Sequence, residues 1–184
     1  FLKNNILFTF HPETLNLSKV KVQIKKILYF LSKLENTLII FTYPNNDLNS
    51  KYIISEIKKF IKKNQNSYLL SNLGRKNYFS FLKNVDLVIG NSSSGLTEAP
   101  QFFTPTLNIG ERQNGRIKEM TVFDSDYKIV NLISNYNKII KNISNKNFKK
   151  IKLINNIKNF SDNFLIIIKN LKSNININKK FYDL

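Results

Sequence analysis

The chain has 184 residues, 42% apolar and 12% aromatic, ample for one large domain or two small ones with a buried core, which excludes disorder as its overall state. Its net charge of +17 rests on 26 Lys and 3 Arg against 12 acidic residues, and Asn (29) and Ile (25) are inflated as well; a Lys/Asn/Ile surplus spread along the whole chain reads as bias filling solvated positions, not as the Arg cluster of a specific nucleic-acid binder. The absence of Cys excludes disulfides, thiolate catalysis and thiolate metal ligands and fits a reducing compartment, so a cytoplasmic location is expected.

Phe1 to Phe10 lacks the charged start, apolar run and cleavage site of a secretion signal, and no window holds the ~20 apolar residues of a membrane helix, so no membrane partner is expected. The chain has no initiator Met and opens almost directly into a strand-like run, Ile6 to Phe10, so a preceding segment is expected. Ser18 to Leu34 follows with a helical period in Val20, Ile24, Ile27, Leu28 and Leu31. Thr37 to Tyr43 is β-branched and aromatic and stops at Pro44, and Ser50 to Lys63 is a second amphipathic helix. Tyr68 to Leu70, a helix over Lys76 to Lys83, Val85 to Ile89, a helix beginning near Ser94, and Thr106 to Ile109 continue the alternation. Short apolar strands between amphipathic helices predict an α/β fold, a Rossmann-like parallel sheet flanked by helices. Asn131 to Asn178 contains neither Gly nor Pro and predicts two or three helices, with a Lys/Asn-rich tail over 173–184.

The rare residues mark where chemistry belongs. All five Gly, all three Arg and two of the four Pro fall between Gly74 and Arg116, and the single His, His11, precedes Pro12. Ligands of parallel sheets bind beyond the carboxyl ends of the strands. His11, Pro44-Asn45, Ser71-Asn72, Asn91 to Gly95 and Gly110 to Arg112 each follow a predicted strand and would gather on one edge. Gly90-Asn91-Ser92-Ser93-Ser94-Gly95 followed by a helix with Glu98 is either a phosphate cradle, with hydroxyls and N–H groups converging on an anion, or an ordinary N-cap loop. Arg112 and Arg116 offer planar forks for phosphate, or a structural pair with Glu98 or Glu119. His11 reads as a phosphate donor or acid/base group, or as a capping or core residue. Tyr78 reads as a stacking face or as helix-face core. No metal or cofactor site is legible.

Taken together, His11-Pro12-Glu13-Thr14, Pro44-Asn45-Asn46-Asp47, the Gly90 to Gly95 loop with Glu98, and Asn108 to Arg116 resemble the C-terminal half of UDP-N-acetylglucosamine 2-epimerases, over about His11 to Asp124. The hydrolysing branch is the better match, because the Asp-Ser-Gly-Gly loop and the Arg-x-x-Thr-Glu-Arg-Pro-Glu segment typical of non-hydrolysing relatives are both missing. The resemblance implies a GT-B architecture in which 1–130 is the nucleotide-binding domain, 131–172 are helices packed on it, and the N-terminal catalytic domain is absent. It further implies that Ser92, Ser93, Ser94 and Gly95 meet the diphosphate of UDP and that Glu98 accepts the ribose hydroxyls. Arg112 and His11 complete the diphosphate site, with His11 as the catalytic residue. Asn45 lies near the nucleotide or sugar and Tyr78 beside the uracil, while Arg116 and Asn91 are further candidates. The implied partner is UDP-N-acetylglucosamine or a related UDP-sugar, with no cofactor, and a homo-oligomer is compatible with the resemblance. The implied reaction is elimination of UDP followed by hydration, using carboxylates of the N-terminal domain. Two other readings make different predictions. A GT-B glycosyltransferase half would share the cradle, and a non-catalytic nucleic-acid module would bind with steep salt dependence and ignore UDP.

Overall fold

The computed structural model describes residues 2–13 and 18–144. Six strands, β1 (Asn4–Thr9), β2 (Thr37–Thr42), β3 (Ser67–Leu70), β4 (Leu87–Gly90), β5 (Thr106–Ile109) and β6 (Val122–Ser125), form one sheet. Their order is β3-β2-β1-β4-β5-β6 and every neighbouring pair is parallel. The helices are α1 (Val20–Leu31), α2 (Ser50–Ile61), α3 (Gly74–Asn84), α4 (Ser94–Thr97) and α5 (Ile129–Ser144), with a 3₁₀ turn over Ala99–Phe102.

Strands this short and apolar need cover on both faces, and the two-residue alternation of their side chains distributes that burial. Ile6, Phe8, Ile39, Phe41, Leu87, Ile89, Leu107 and Ile109 point to one face, where they pack with Ile24, Ile27 and Phe30 of α1, Ile53, Ile57 and Phe60 of α2, and Leu132, Tyr136 and Ile139 of α5. Leu7, Ile40 and Val88 point to the other and meet Leu82 of α3 and Ala99. Phe41 centres the larger cluster, edge-on to Phe8 at 5.1 Å and to Phe60 at 5.5 Å. A fully buried ring of this kind contributes roughly 1.5–3 kcal/mol through lost water contact.

The strand order places the site. From β1 the chain winds outward through β2 to the edge strand β3, then crosses back so that β4 pairs with β1 on its other side. The loops after β1 and β4 therefore diverge, and such a reversal point opens a crevice beyond the strand ends. β4 approaches β1 closely enough that a Cβ on Gly90 would lie 1.8 Å from the Thr9 carbonyl oxygen, and Gly90 has a φ of +141°. Only glycine fits there.

Two local expectations change, and a third lies largely outside the described residues. β6 was not foreseen: Val122 and Phe123 are half-buried and Asp124 is exposed, so this edge strand lacks the continuous apolar run of its neighbours. The helix expected to run on from Ser94 is one turn long. Pro100 lies at the start of the next turn, and its missing N–H and its ring break the α-helical ladder, leaving Glu98 at the junction with the 3₁₀ turn. Of the helices expected over 131–172, residues 131–144 belong to α5; the remainder, and the tail expected at 173–184, lie outside the described residues.

Candidate functional site

The loop after β1 is fixed by the loop after β4. Asn91 is fully buried, and its side chain extends the β1–β4 ladder past the strand ends: the His11 N–H donates to Asn91 Oδ1 (2.7 Å), and Asn91 Nδ2 donates to the His11 carbonyl (2.8 Å). With both faces of its amide used, Asn91 positions the loops. Its own carbonyl accepts from Gln113 Nε2 (2.7 Å) and Arg112 Nη1 (3.1 Å), which ties the loop after β5 to the same point.

His11 is thereby held at the floor of a cleft of about 420 Å³. Its Nδ1 accepts the Asn45 N–H at 3.1 Å, so the ring proton of the neutral form resides on Nε2, which remains available as a donor. Burial, with the Arg112 cation second, lowers the imidazole pKa to about 4, against a weaker upward pull from Asp47. At neutral pH His11 is therefore an uncharged donor.

Thr9 and Thr42, at the ends of β1 and β2, join through their hydroxyls at 2.5 Å and form one wall with His11. On another side Tyr78 OH and Ser94 Oγ share a hydrogen bond of 2.6 Å, beside Ser92 and Glu98. Burial raises the Tyr78 phenol above its ordinary range, which keeps it a donor. Leu70 to Arg75 close the far end. There the Asn72 side chain accepts the Gly74 N–H (2.8 Å) to start α3, and the Arg75 guanidinium lies over the Phe79 ring at 5.3 Å. The arrangement offers hydroxyls and an imidazole N–H in the middle, a carboxylate to one side, and an aromatic slot: donors for an anion, an acceptor for vicinal hydroxyls, and a face for a planar ring.

Of the residues singled out in the sequence, His11, Asn45, Tyr78, Ser92, Ser94 and Glu98 line this cleft. Ser93, Gly95, Asn91, Arg112 and Arg116 do not. Gly95 serves close packing: an added Cβ would lie 2.7 Å from Thr106 Cγ2, and the Gly95 carbonyl accepts Thr106 Oγ1 at 2.8 Å. Arg112 sits behind the cleft, near enough to His11 to act on its charge, whereas Arg116 is exposed. A helix of one turn builds little macrodipole, so an anion here would be held by individual hydroxyl and N–H groups, not by the half-charge of a long helix.

Sequence reasoning missed Thr9 and Thr42, which read only as strand ends, and Arg75, which was given no role. It also missed the buried Glu13, which sits inside the His11 string and accepts from Tyr127 OH (2.6 Å), Gln23 Nε2 (3.0 Å) and the Glu111 N–H (3.0 Å). Among the described residues no three His, Asp or Glu side chains are placed to hold a metal ion, and no helix is long and apolar enough to cross a membrane.

Comparison with known proteins places these observations in a family. Residues 2–162 match the family model described as UDP-N-acetylglucosamine 2-epimerase. A GDP/UDP-N,N'-diacetylbacillosamine 2-epimerase (hydrolyzing) from Campylobacter jejuni is 37% identical over 149 residues, covering 80% of this chain and 37% of that protein. Polysialic acid biosynthesis protein P7 of Escherichia coli is 34% identical over 193 residues, covering 100% of this chain and 47% of its own length. The solved UDP-GlcNAc 2-epimerase from Neisseria meningitidis bound to UDP-GlcNAc shares the fold, with a TM-score of 0.63 at 17% identity over 92% of this chain and 45% of that one. The chain thus spans less than half the length of each of these proteins.

Proposed function

The chain belongs to the UDP-N-acetylglucosamine 2-epimerase family, and from that membership we propose that it is the UDP-binding half of a hydrolysing 2-epimerase, which converts UDP-N-acetylglucosamine or a 2,4-diacetamido relative and water to the 2-epimeric free sugar and UDP. The product would feed sialic or related nonulosonic acid synthesis in the cytoplasm. The observation that carries this reading is the convergence of His11, Asn45, Tyr78, Ser92, Ser94 and Glu98 on one cleft at the β1–β4 reversal point. The names of the Campylobacter and Escherichia relatives, a hydrolysing 2-epimerase and a polysialic acid biosynthesis protein, support the reaction type and its setting.

In this reading the uracil lies against Tyr78, the ribose hydroxyls donate to Glu98, and the diphosphate lies over Ser92, Ser94 and His11. Breaking the bond from the anomeric carbon to UDP leaves extra negative charge on the departing phosphate oxygen. Donors aimed at that oxygen bind the transition state more tightly than the ground state, which is what accelerates the step. The neutral His11 supplies such a donor through Nε2. The arriving diphosphate, by its own charge, raises the imidazole pKa and so favours delivery of a proton to the leaving group. Arg112, tied to Asn91 behind the cleft, keeps the local potential positive. Removal of the C2 proton and hydration of the resulting glucal need carboxylates, which in this reading the other half of the full-length enzyme provides.

Calorimetry with UDP, paired with an assay for UDP release from UDP-N-acetylglucosamine, tests the division. The chain is expected to bind UDP and to catalyse nothing by itself. Turnover by the 184 residues alone, or absence of UDP binding, would contradict it.

A further inference from the structure

Glu13 lies two residues beyond His11 and is 5% exposed, too buried for a solvated carboxylate. Its Oε1 accepts both Tyr127 OH (2.6 Å) and the Glu111 N–H (3.0 Å), and its Oε2 accepts Gln23 Nε2 (3.0 Å). Four stretches of chain therefore meet on one carboxylate: the loop after β1 that carries it, α1 through Gln23, the loop after β5 and the loop leading from β6 to α5. The fit is tight, since a Cβ on Gly110 would lie 2.2 Å from Tyr127 OH and 2.3 Å from Glu13 Oε1. Glu111 is followed directly by Arg112, whose guanidinium reaches the Asn91 carbonyl (3.1 Å), and Asn91 grips the His11 backbone from the other side. The links form a ring from Glu13 through Glu111, Arg112 and Asn91 to His11, and back along the chain to Glu13.

We infer that Glu13 is a positioning residue for the diphosphate end of the cleft: its carboxylate, clamped by Tyr127, holds the Arg112 loop against His11, so that the imidazole and the Ser92–Ser94 loop keep the spacing an anion needs. The inference rests on the UDP-binding reading and assigns Glu13 no contact with the ligand. The geometry divides the cleft by function. Tyr78 and Glu98 are carried by α3 and the turn after α4, outside the ring, so a loosened clasp should disturb phosphate contacts and spare nucleoside contacts.

The test compares UDP with uridine on the full chain and on Glu13→Ala, Glu13→Gln and Tyr127→Phe variants. Glu13→Ala is expected to weaken UDP about tenfold or more, the scale of losing charge-assisted hydrogen bonds, while uridine changes less than about twofold. Glu13→Gln should recover most of the loss: its amide oxygen still accepts from Tyr127 and Glu111, and Gln23, whose Oε1 has no hydrogen-bond partner among the described residues, can turn to accept its NH₂. Equal losses for UDP and uridine, an unchanged UDP affinity in Glu13→Ala, or failure of Glu13→Gln to recover would overturn the inference. Tyr127→Phe covers the case in which Glu13→Ala does not fold. It removes one donor without changing charge, so a relaxed Arg112 loop should raise the His11 pKa, followed by its imidazole NMR signals. That readout needs no ligand, and an unmoved His11 titration would count against the clasp even if the chain bound no UDP, a result that would separately contradict the proposed function.

Discussion

His11 is held in the neutral form mainly by burial, and that has a cost that appears in acid. In the unfolded chain its imidazole titrates near the ordinary value of about 6.5, whereas in the folded protein it is lowered to about 4. As pH falls through that interval the unfolded state takes up a proton before the folded state does. The stabilisation this group contributes is therefore fully present above about pH 6.5 and is lost as pH falls toward 4. Urea unfolding of the wild type should show stability declining between pH 6.5 and 4.5, and His11→Gln should show a shallower decline; identical slopes would contradict the assignment. The serines make a second contrast. Ser94 lines the cleft and bonds Tyr78, while Ser93 does not line it, so Ser94→Ala is expected to weaken UDP by about 0.5–1.5 kcal/mol, the net worth of one hydrogen bond. Ser93→Ala should leave affinity within about twofold, as measured by calorimetry. That His11, the serine loop and Glu98 belong to one cleft was legible from their places after predicted strands. Which serine faces inward was not, because it depends on the exact turn of a one-turn helix. Glu13 was illegible for another reason: its partners Gln23, Glu111 and Tyr127 are up to 114 positions away.

At the scale of elements, two glycines with positive φ separate backbone crowding from backbone conformation. A Cβ on Gly90 would run into the Thr9 carbonyl, whereas one on Gly115, at a φ of +77°, would meet nothing within 4 Å. Gly115→Ala should therefore cost about 1–2 kcal/mol, the price of a left-handed L-residue. Gly90→Ala adds a clash with neighbouring backbone that no rotamer relieves, and should cost about 3 kcal/mol or more. Denaturant titration of the two variants checks the ordering, and equal losses would show that β1 and β4 can separate freely. The same closeness explains what the sequence reveals of the sheet. β1, β2, β4 and β5 are interior strands covered on both faces, so their apolar runs announce them, while β6 pairs on one side only and is half-exposed. The helix after Ser94 was overestimated because Pro100 was not weighed as its stop.

Over the whole molecule, the charge of +17 competes with the cleft as an explanation of binding. Along α2 a second depression, about 620 Å³, is lined by Tyr43, Ile54 and Ser55 together with Lys51, Lys58, Lys59 and Lys62, and any polyanion would be drawn to it. Such attraction is unspecific and weakens steeply with salt. Binding in the cleft instead rests on groups held in place by the sheet: His11 by Asn91 and Asn45, Tyr78 by Ser94, and the loop after β5 by Glu13. The two possibilities are separated most directly by mapping UDP onto the ¹⁵N-labelled chain at physiological salt, following the backbone amide signals during titration. The account predicts saturable shifts concentrated at Thr9 to His11, Asn45, Asn72 to Tyr78 and Ser92 to Glu98, with the α2 lysines unmoved. Shifts confined to Lys51, Lys58, Lys59 and Lys62 that vanish as salt rises, or no shifts at all, would contradict it.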